Sequence, residues 1–316
     1  MSRTDTLQPR VVVLLATYNG ERHLAAQLES LLAQDYADFV VLARDDGSTD
    51  SSEEILHFYA QQHPGRVMLL PCEPGNRGAS GSFSLLFEYA LAHKEALDLT
   101  SVYAMCCDQD DIWYPHKISS SMAAMLELEA AHPYRACLVH SDLRVVDENG
   151  GVICDSFFRY QDIRPQKNSF TRMLVSNSVT GCTALCNEKL VQMACPVPAG
   201  AVMHDWWLAL VASAFGAIHT IEAPLLDYRQ HAGNTLGARE YRSTAFTPAK
   251  LKRLADPRYD ELTQQLTRQA EAFAGVYSQR LGNGKVFVLA IALWMGRRER
   301  LFRNMVFHAL RKWGLH

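Results

Sequence analysis

Six consecutive apolar residues, Val11-Val12-Val13-Leu14-Leu15-Ala16, constrain the fold more than any other stretch of the chain. A strand with one wet face alternates polar and apolar residues; this run does not. Both of its faces must be covered, as in a central strand of a parallel sheet with helices on either side. The run stops at Thr17-Tyr18-Asn19-Gly20, and residues 21–34 carry Leu24, Leu28, Leu31 and Leu32 at helical spacing. Strand, tight polar loop and helix make half of a βαβ unit.

The unit recurs. A strand over 39–43 leads through Arg44-Asp45-Asp46-Gly47-Ser48-Thr49-Asp50-Ser51 into a helix over 52–62. A strand over 67–71 precedes Gly75-Asn76-Arg77-Gly78-Ala79-Ser80-Gly81-Ser82 and a helix to residue 96. A strand over 102–107 precedes a helix over 118–131. This order predicts an α/β fold, a mostly parallel sheet with helices on both faces. The texture then changes: short strands over 136–140 and 143–146, a turn at 147–151 and a hairpin partner at 152–154. An irregular loop over 159–167, a helix over 169–176 and a strand over 179–186 follow. Next come a helix opened by His204-Asp205-Trp206-Trp207, a strand over 217–223 and the segment 225–231. From Pro248 the pattern is helical, ending in a helix pair over 286–313. No internal repeat is present.

A chain of 316 residues, 48% hydrophobic and 21% charged, can bury one large core or two modest ones. Its net charge of -3 argues against a general nucleic-acid binder, which needs a basic footprint. Eight cysteines, with Cys106 and Cys107 adjacent and no C-x-x-C pair, read as small core residues of a reducing compartment rather than a disulfide framework. Residues 1–10 are polar and contain no signal core, and the ten-residue apolar run 286–295 is too short to span a bilayer. The expected location is the cytoplasm. Arg297, Arg298, Arg300, Arg303, Arg311 and Lys312, against Glu299 alone and interleaved with apolar residues, suit either peripheral contact with an anionic membrane or a packed helix with a solvated basic face.

The chemistry is concentrated at strand ends, where open α/β sheets bind ligands. Tyr103-Ala104-Met105-Cys106-Cys107 runs directly into Asp108-Gln109-Asp110-Asp111, three carboxylates in four residues. That much like charge is unfavourable unless a cation sits among the oxygens, so the tip reads as a divalent-metal site. The second tip, Asp45 and Asp46 with its Ser/Thr cluster, suits ligand binding and equally suits helix capping. The turn around Asn76, Arg77 and Gly78 can meet a phosphate through backbone N–H groups and a guanidinium, although glycines also simply make turns. Neither a Walker lysine loop nor a G-x-G-x-x-G fingerprint is present, which disfavours kinase-like and dehydrogenase-like sites.

Taken together, TYNG, DDGSTD, GNRG, CDQDDIW, NSVTGCTALC, HDWW and YRQHAGN, in that order, resemble glycosyltransferase family 2, and most closely its rhamnosyltransferase-type members. The likeness covers residues 10 to 235. It implies a GT-A fold over residues 1–240, with a nucleotide-sugar-binding half (10–115) and an acceptor-binding half (116–240), followed by a C-terminal helical region (241–316). It also implies an inverting, metal-dependent transfer from a nucleotide diphosphate sugar (dTDP- or UDP-linked, L-rhamnose preferred) to a hydroxyl of a growing, lipid-linked surface glycan.

In that family Thr17, Tyr18 and Asn19 with Asp46 and Asp45 hold base and ribose, while Asn76, Arg77, Gly78 and Arg229 face the pyrophosphate or sugar. Mg²⁺ or Mn²⁺ falls to Asp108-Gln109-Asp110, with Asp111 as an alternative or supplement, Asp110 ranking first and Asp108 also lying near the ribose or sugar. His231 reaches the metal or pyrophosphate. Asp205 is the base, its pKa raised by apolar neighbours. Gly181, Cys182, Thr183, Trp206 and Trp207 line the sugar or acceptor cleft, Cys182 without a nucleophilic role. The competing readings are a sugar nucleotidyltransferase, which would need a lysine-bearing triphosphate loop that TYNG does not introduce, and a non-catalytic sugar-nucleotide-binding subunit of a glycan assembly complex.

Overall fold

A computed structural model of the chain describes residues 8–71, 75–231 and 257–296. The predicted βαβ units are all present. Strands β1 (Val11–Thr17), β2 (Phe39–Asp45), β3 (Val67–Leu69) and β4 (Tyr103–Cys107) are linked by helices α1 (Leu24–Leu32), α2 (Ser52–Gln62) and α3 (Gly78–Ala92). They lie parallel in the order β3-β2-β1-β4. Helix α1 begins at Leu24 rather than residue 21 because the Gly20 carbonyl accepts from both His23 and Leu24 N–H groups, closing a tight turn first.

The continuous apolar run does what its composition requires. Val12 and Leu14 join Val40, Leu42, Ala104 and Cys106 in one core layer with Phe83, Leu86 and Phe87 of α3. Val11, Val13 and Leu15 join Val41, Ala43, Met105 and Cys107 in the other, against Leu24, Leu28 and Leu31 of α1. Alternate residues of the same strands therefore feed two cores, one on each face.

Beyond β4 the sheet is mixed. A two-residue strand β5 (Ile112–Trp113), not anticipated, precedes α4 (Lys117–Ala131). The segments expected as 136–140 and 143–146 are one strand, β6 (Ala136–Val146), which pairs antiparallel with β7 (Val152–Cys154) as the hairpin predicts. Helix α5 (Phe157–Gln161) replaces the start of the expected irregular loop, with the Ser156 side chain capping Arg159 N–H; α6 (Phe170–Met173) is a single turn.

The expected strand over 179–186 is corrected: Gly181–Thr183 is a 3₁₀ turn, closed by Thr183 N–H and Oγ1 donating to the Thr180 carbonyl, and only β8 (Leu185–Asn187) is extended. A short helix α7 (Glu188–Ala194) follows, then α8 (His204–Phe215) and a single long strand β9 (Gly216–Arg229) where two segments were expected. β8 runs antiparallel to β4 and to β6, and β9 parallel to β6, giving β3-β2-β1-β4-β8-β6-β9-β5.

The helix Pro257–Tyr277 packs on the α3 side through Leu266, Ala270, Phe273 and Tyr277, where Phe273 and Tyr277 meet Trp207 and Phe215. The helix Asn283–Gly296 adds Leu289 and Ala292 to the same core. Residues 232–256, including the end of YRQHAGN and the start of the C-terminal region, and the basic stretch 297–316 lie outside the described residues.

Candidate active site

The parallel strands β1, β2 and β4 finish at one edge of the sheet, and a cleft of about 590 Å³ opens there. Its walls bring together Thr17, Tyr18, Asp46, Asn76, Gly78, Asp108, Asp110, Gly181 and Asp205, drawn from loops up to 188 positions apart in sequence. The first loop is held to the β4 tip by Gln109. Its Oε1 accepts from Thr17 Oγ1 at 2.6 Å and from Tyr18 N–H at 2.7 Å, while its Nε2 donates to the Tyr18 carbonyl at 3.1 Å. A Cβ on Gly20 would stand 2.5 Å from that Oε1, so any larger residue there would displace the Gln109 side chain from this contact. Tyr18 is left 48% exposed, with its ring available at the cleft.

Asn19 has φ 50°, a left-handed conformation that asparagine tolerates. Its N–H donates to Ser48 Oγ and its Oδ1 accepts from Thr49 N–H, both at 2.8 Å, tying the first and second loops together. Asp45 closes its own turn by accepting from Gly47 and Ser48 N–H groups. Asp46 is buried and fully engaged: it pairs with the buried Arg44 at 2.9 Å and accepts from the N–H groups of Arg77 and Gly78. Those two backbone amides, expected to meet a phosphate, are thus met by an internal carboxylate that caps the start of α3.

Along the acidic tip the three carboxylates have different surroundings. Asp108 faces the cleft, and burial together with the charges of Asp110 and Asp205 raises its pKa. Asp110 also lines the cleft and meets His231 Nε2 at 2.7 Å. The His231 ring lies 5.2 Å from that of His23, whose pKa is lowered first by burial and then by Arg229 and His231. Arg229 braces the tip by donating to the carbonyls of Asp110 and Glu148.

Asp111 points beneath the floor: it is wholly buried, neither carboxylate oxygen has a well-formed hydrogen bond, and the Cys182 thiol and Arg229 N–H are its neighbouring donors. Lys117 lies in the same layer, its buried ammonium 4.5 Å from the Trp113 ring centroid and its pKa lowered to about 8 by burial.

These donors fit a hard divalent cation at Asp108 and Asp110, where carboxylate charge is crowded at an open wall. Asp108, Asp111 and Cys182 also approach within 4.8 Å of one another. That second group suits Mg²⁺ or Mn²⁺ poorly: sulfur is a soft donor, and burial pushes the Cys182 thiol well above its ordinary value, so it stays protonated.

Opposite the acidic tip, α8 presents Asp205 in its first turn. Serine 80 on α3 docks this helix start by accepting from His204 N–H at 3.0 Å. Asp205 accepts from Gly181 N–H at 3.1 Å and from its own neighbour Trp206 N–H at 2.6 Å. Burial nevertheless raises its pKa to about 6, outweighing these hydrogen bonds and the positive helix end. Gly181 lets the turn approach, since a Cβ there would stand 3.0 Å from His204 Nε2.

Neither tryptophan is among the residues that line the cleft. Trp207 is buried with its Nε1 donating to the Ala194 carbonyl, and Trp206 donates to the Met173 carbonyl. Trp207 is wholly within the core, and Trp206 packs against it while partly exposed. Cys182 and Thr183 are buried behind Gly181. Gln109, His23, Phe157 and Gln161 escaped the sequence reading as site residues. Gln109 was signalled by its place between two carboxylates; the others carried no pattern of their own.

An acidic strand tip facing a buried helix-borne carboxylate across the carboxyl edge of this mixed sheet defines a GT-A glycosyltransferase. The fold is shared with Staphylococcus aureus TarS residues 1–349 in complex with UDP-GlcNAc (TM-score 0.54, 14% identity, 96% of this chain and 89% of that one). It is shared too with the mannosyltransferase PcManGT from Pyrobaculum calidifontis in complex with GDP-Man and Mn²⁺ (TM-score 0.50, 16% identity, 98% and 84%). Residues 12–191 match glycosyl transferase family 2, and the chain belongs to that family. It is 27% identical over 306 residues to the dTDP-rhamnosyl transferase RfbG of Shigella flexneri, covering 90% of this chain and 95% of the relative. The chain is thus a nucleotide-sugar glycosyltransferase.

Proposed function

We propose that this glycosyltransferase is metal-dependent and inverting, and moves L-rhamnose from dTDP-rhamnose to a hydroxyl of a growing, lipid-linked surface glycan on the cytoplasmic side of the membrane. The observation that carries the chemistry is the placement of Asp205, with its pKa near 6, across one cleft from Asp108 and Asp110. The name of the Shigella relative supports dTDP-rhamnose as donor; the Mn²⁺ in the Pyrobaculum neighbour supports a divalent metal.

On this reading Tyr18 stacks on the pyrimidine while Thr17, Asn19, Asp45 and Asp46 shape the nucleoside pocket, Asp46 by fixing the turn at Asn76, Arg77 and Gly78. Asp108 and Asp110 hold Mg²⁺ or Mn²⁺, His231 orients Asp110, and Arg229 fixes the tip by its backbone contacts. A divalent metal held there would supply neutralisation of the charge that develops on the diphosphate leaving group. Asp205 accepts the acceptor hydroxyl proton, the hydroxyl oxygen bonds to C1 from the face opposite the diphosphate, and the C1–O bond to the nucleotide breaks with its electron pair on the diphosphate.

The test is release of nucleoside diphosphate from a panel of dTDP-, UDP- and GDP-sugars, with lipid-linked acceptor, with Mn²⁺ or Mg²⁺ and with chelator. Transfer confined to dTDP-rhamnose and abolished by chelation is expected. Full activity in chelator would refute the metal; preference for another donor would refute rhamnose.

A further inference from the structure

A buried histidine stands beside Asp205 with nothing to bind. His204 opens α8, is 4% exposed and lines the cleft, yet neither ring nitrogen has a hydrogen-bond partner among the described residues. Burial lowers its pKa to about 3, so the ring is neutral wherever Asp205 is ionised, and it offers one N–H donor and one bare nitrogen acceptor. Leaving both buried and unpaired is unfavourable, and protein interiors ordinarily avoid it. His140, also buried, shows the usual outcome: its Nε2 meets Thr220 Oγ1 at 2.9 Å.

The ring is held from one side and open on another. It stacks on Phe83 of α3, centroids 4.2 Å apart and planes 24° from parallel, and Ser80 Oγ of the same helix accepts from the His204 backbone N–H. Its Nε2 lies beside Gly181, where a Cβ would stand 3.0 Å away, so glycine keeps the approach to that nitrogen clear. Position narrows what can approach. Helix α3 starts at the turn of Asn76, Arg77 and Gly78, on the proposed reading the nucleotide side of the cleft, and Asp205 follows His204 directly along α8. The part of a donor that lies between its diphosphate and the base is the sugar, and a sugar presents hydroxyls, which both donate to and accept from a neutral imidazole.

We propose that His204 binds a hydroxyl of the transferred sugar through its ring nitrogens, with Phe83 holding the ring, and so selects the donor by its sugar rather than by its nucleotide. This rests on the reading of the cleft as the nucleotide-sugar site, not on the sugar being rhamnose. The full chain is first titrated by calorimetry in Mg²⁺ with dTDP-rhamnose, UDP-glucose, UDP-GlcNAc and GDP-mannose, each beside its nucleoside diphosphate, and the pair that binds most tightly is carried forward. Binding of none would refute the reading of the cleft and this proposal with it; a pair other than dTDP-rhamnose and dTDP would refute only the donor assignment. With isotope-labelled histidine, the NMR signals of the His204 ring nitrogens, identified by their loss in His204→Phe, should shift when the sugar nucleotide binds and stay in place when the nucleoside diphosphate binds.

His204→Phe keeps a ring on Phe83 and removes both nitrogens. It should lower kcat/KM for transfer about 10- to 100-fold and leave nucleoside diphosphate affinity unchanged, and His204→Gln, which restores a donor and an acceptor, should recover part of the loss. Among donors deoxygenated at one sugar carbon in turn, one should cost the wild type the same factor and cost His204→Phe nothing further. Should His204→Phe unfold, His204→Gln supplies the signal assignment and the wild-type spectra decide. Signals that shift equally with the nucleoside diphosphate, or that stay in place while calorimetry shows the sugar nucleotide bound, would overturn the proposal. So would a folded His204→Phe chain that transfers at the wild-type rate, or losses that add at every deoxygenated position.

Discussion

On the proposed mechanism Asp205 carries both the chemistry and the pH response. Because burial raises its pKa to about 6, the carboxylate form needed to take a proton is lost as pH falls through that value. Transfer rate is therefore expected to rise with pH up to about 6 and to level above it. Asp205→Asn should lower kcat about 10²- to 10⁴-fold with little change in donor affinity, and should erase that limb of the profile. Donor binding by calorimetry beside single-turnover transfer checks the split; an unaltered rate would remove Asp205 from the base role.

The tip carboxylates should separate in the same spirit. Asp110→Asn is expected to weaken Mn²⁺ binding, and His231→Ala to weaken it about tenfold through loss of the Asp110 partner, whereas Asp111→Asn should leave metal affinity nearly intact. Manganese titration followed by electron paramagnetic resonance distinguishes them.

Three elements meet at Asp46: the end of β2, the turn at 75–77 and the first residue of α3. Arg44 is 1% exposed and Asp46 3%, so Asp46→Ala strands a buried guanidinium and uncaps α3 together. A loss of about 3–5 kcal/mol is expected, read by urea denaturation. At the junction of α8 and β9, Gly216 lies against the Ala136 backbone, which a Cβ would overlap. Gly216→Ala should cost about 3 kcal/mol, since neither strand can withdraw without breaking the β6 to β9 ladder.

These elements also show how much could be read in advance. The first four strands and their helices announced themselves through unbroken apolar runs and leucine spacing, because a doubly covered parallel strand leaves an unmistakable pattern. The 3₁₀ turn at 181–183 did not, since Val179 to Cys186 has strand composition and only hydrogen bonds to Thr180 bend it.

Across the whole molecule the sheet is a scaffold whose helices meet in two cores, and the C-terminal helix Pro257–Tyr277 belongs to one of them. Ending the chain at residue 256 should uncover Trp207 and Phe215, giving dye-binding apolar surface and a broadened thermal transition; a sharp transition unchanged in midpoint would show that this helix is dispensable.

Local chemistry dictated a great deal: apolar runs specify buried strands, and carboxylates crowded at a strand end specify a cation or a cap wherever that strand lies. The pairing of Asp205 with Asp108 and Asp110 across a cleft, the commitment of Asp46 to α3 and the packing of Trp206 and Trp207 were settled only when distant segments came together. A side chain's type travels with its residue, but its partners, burial and pKa belong to its neighbours in space.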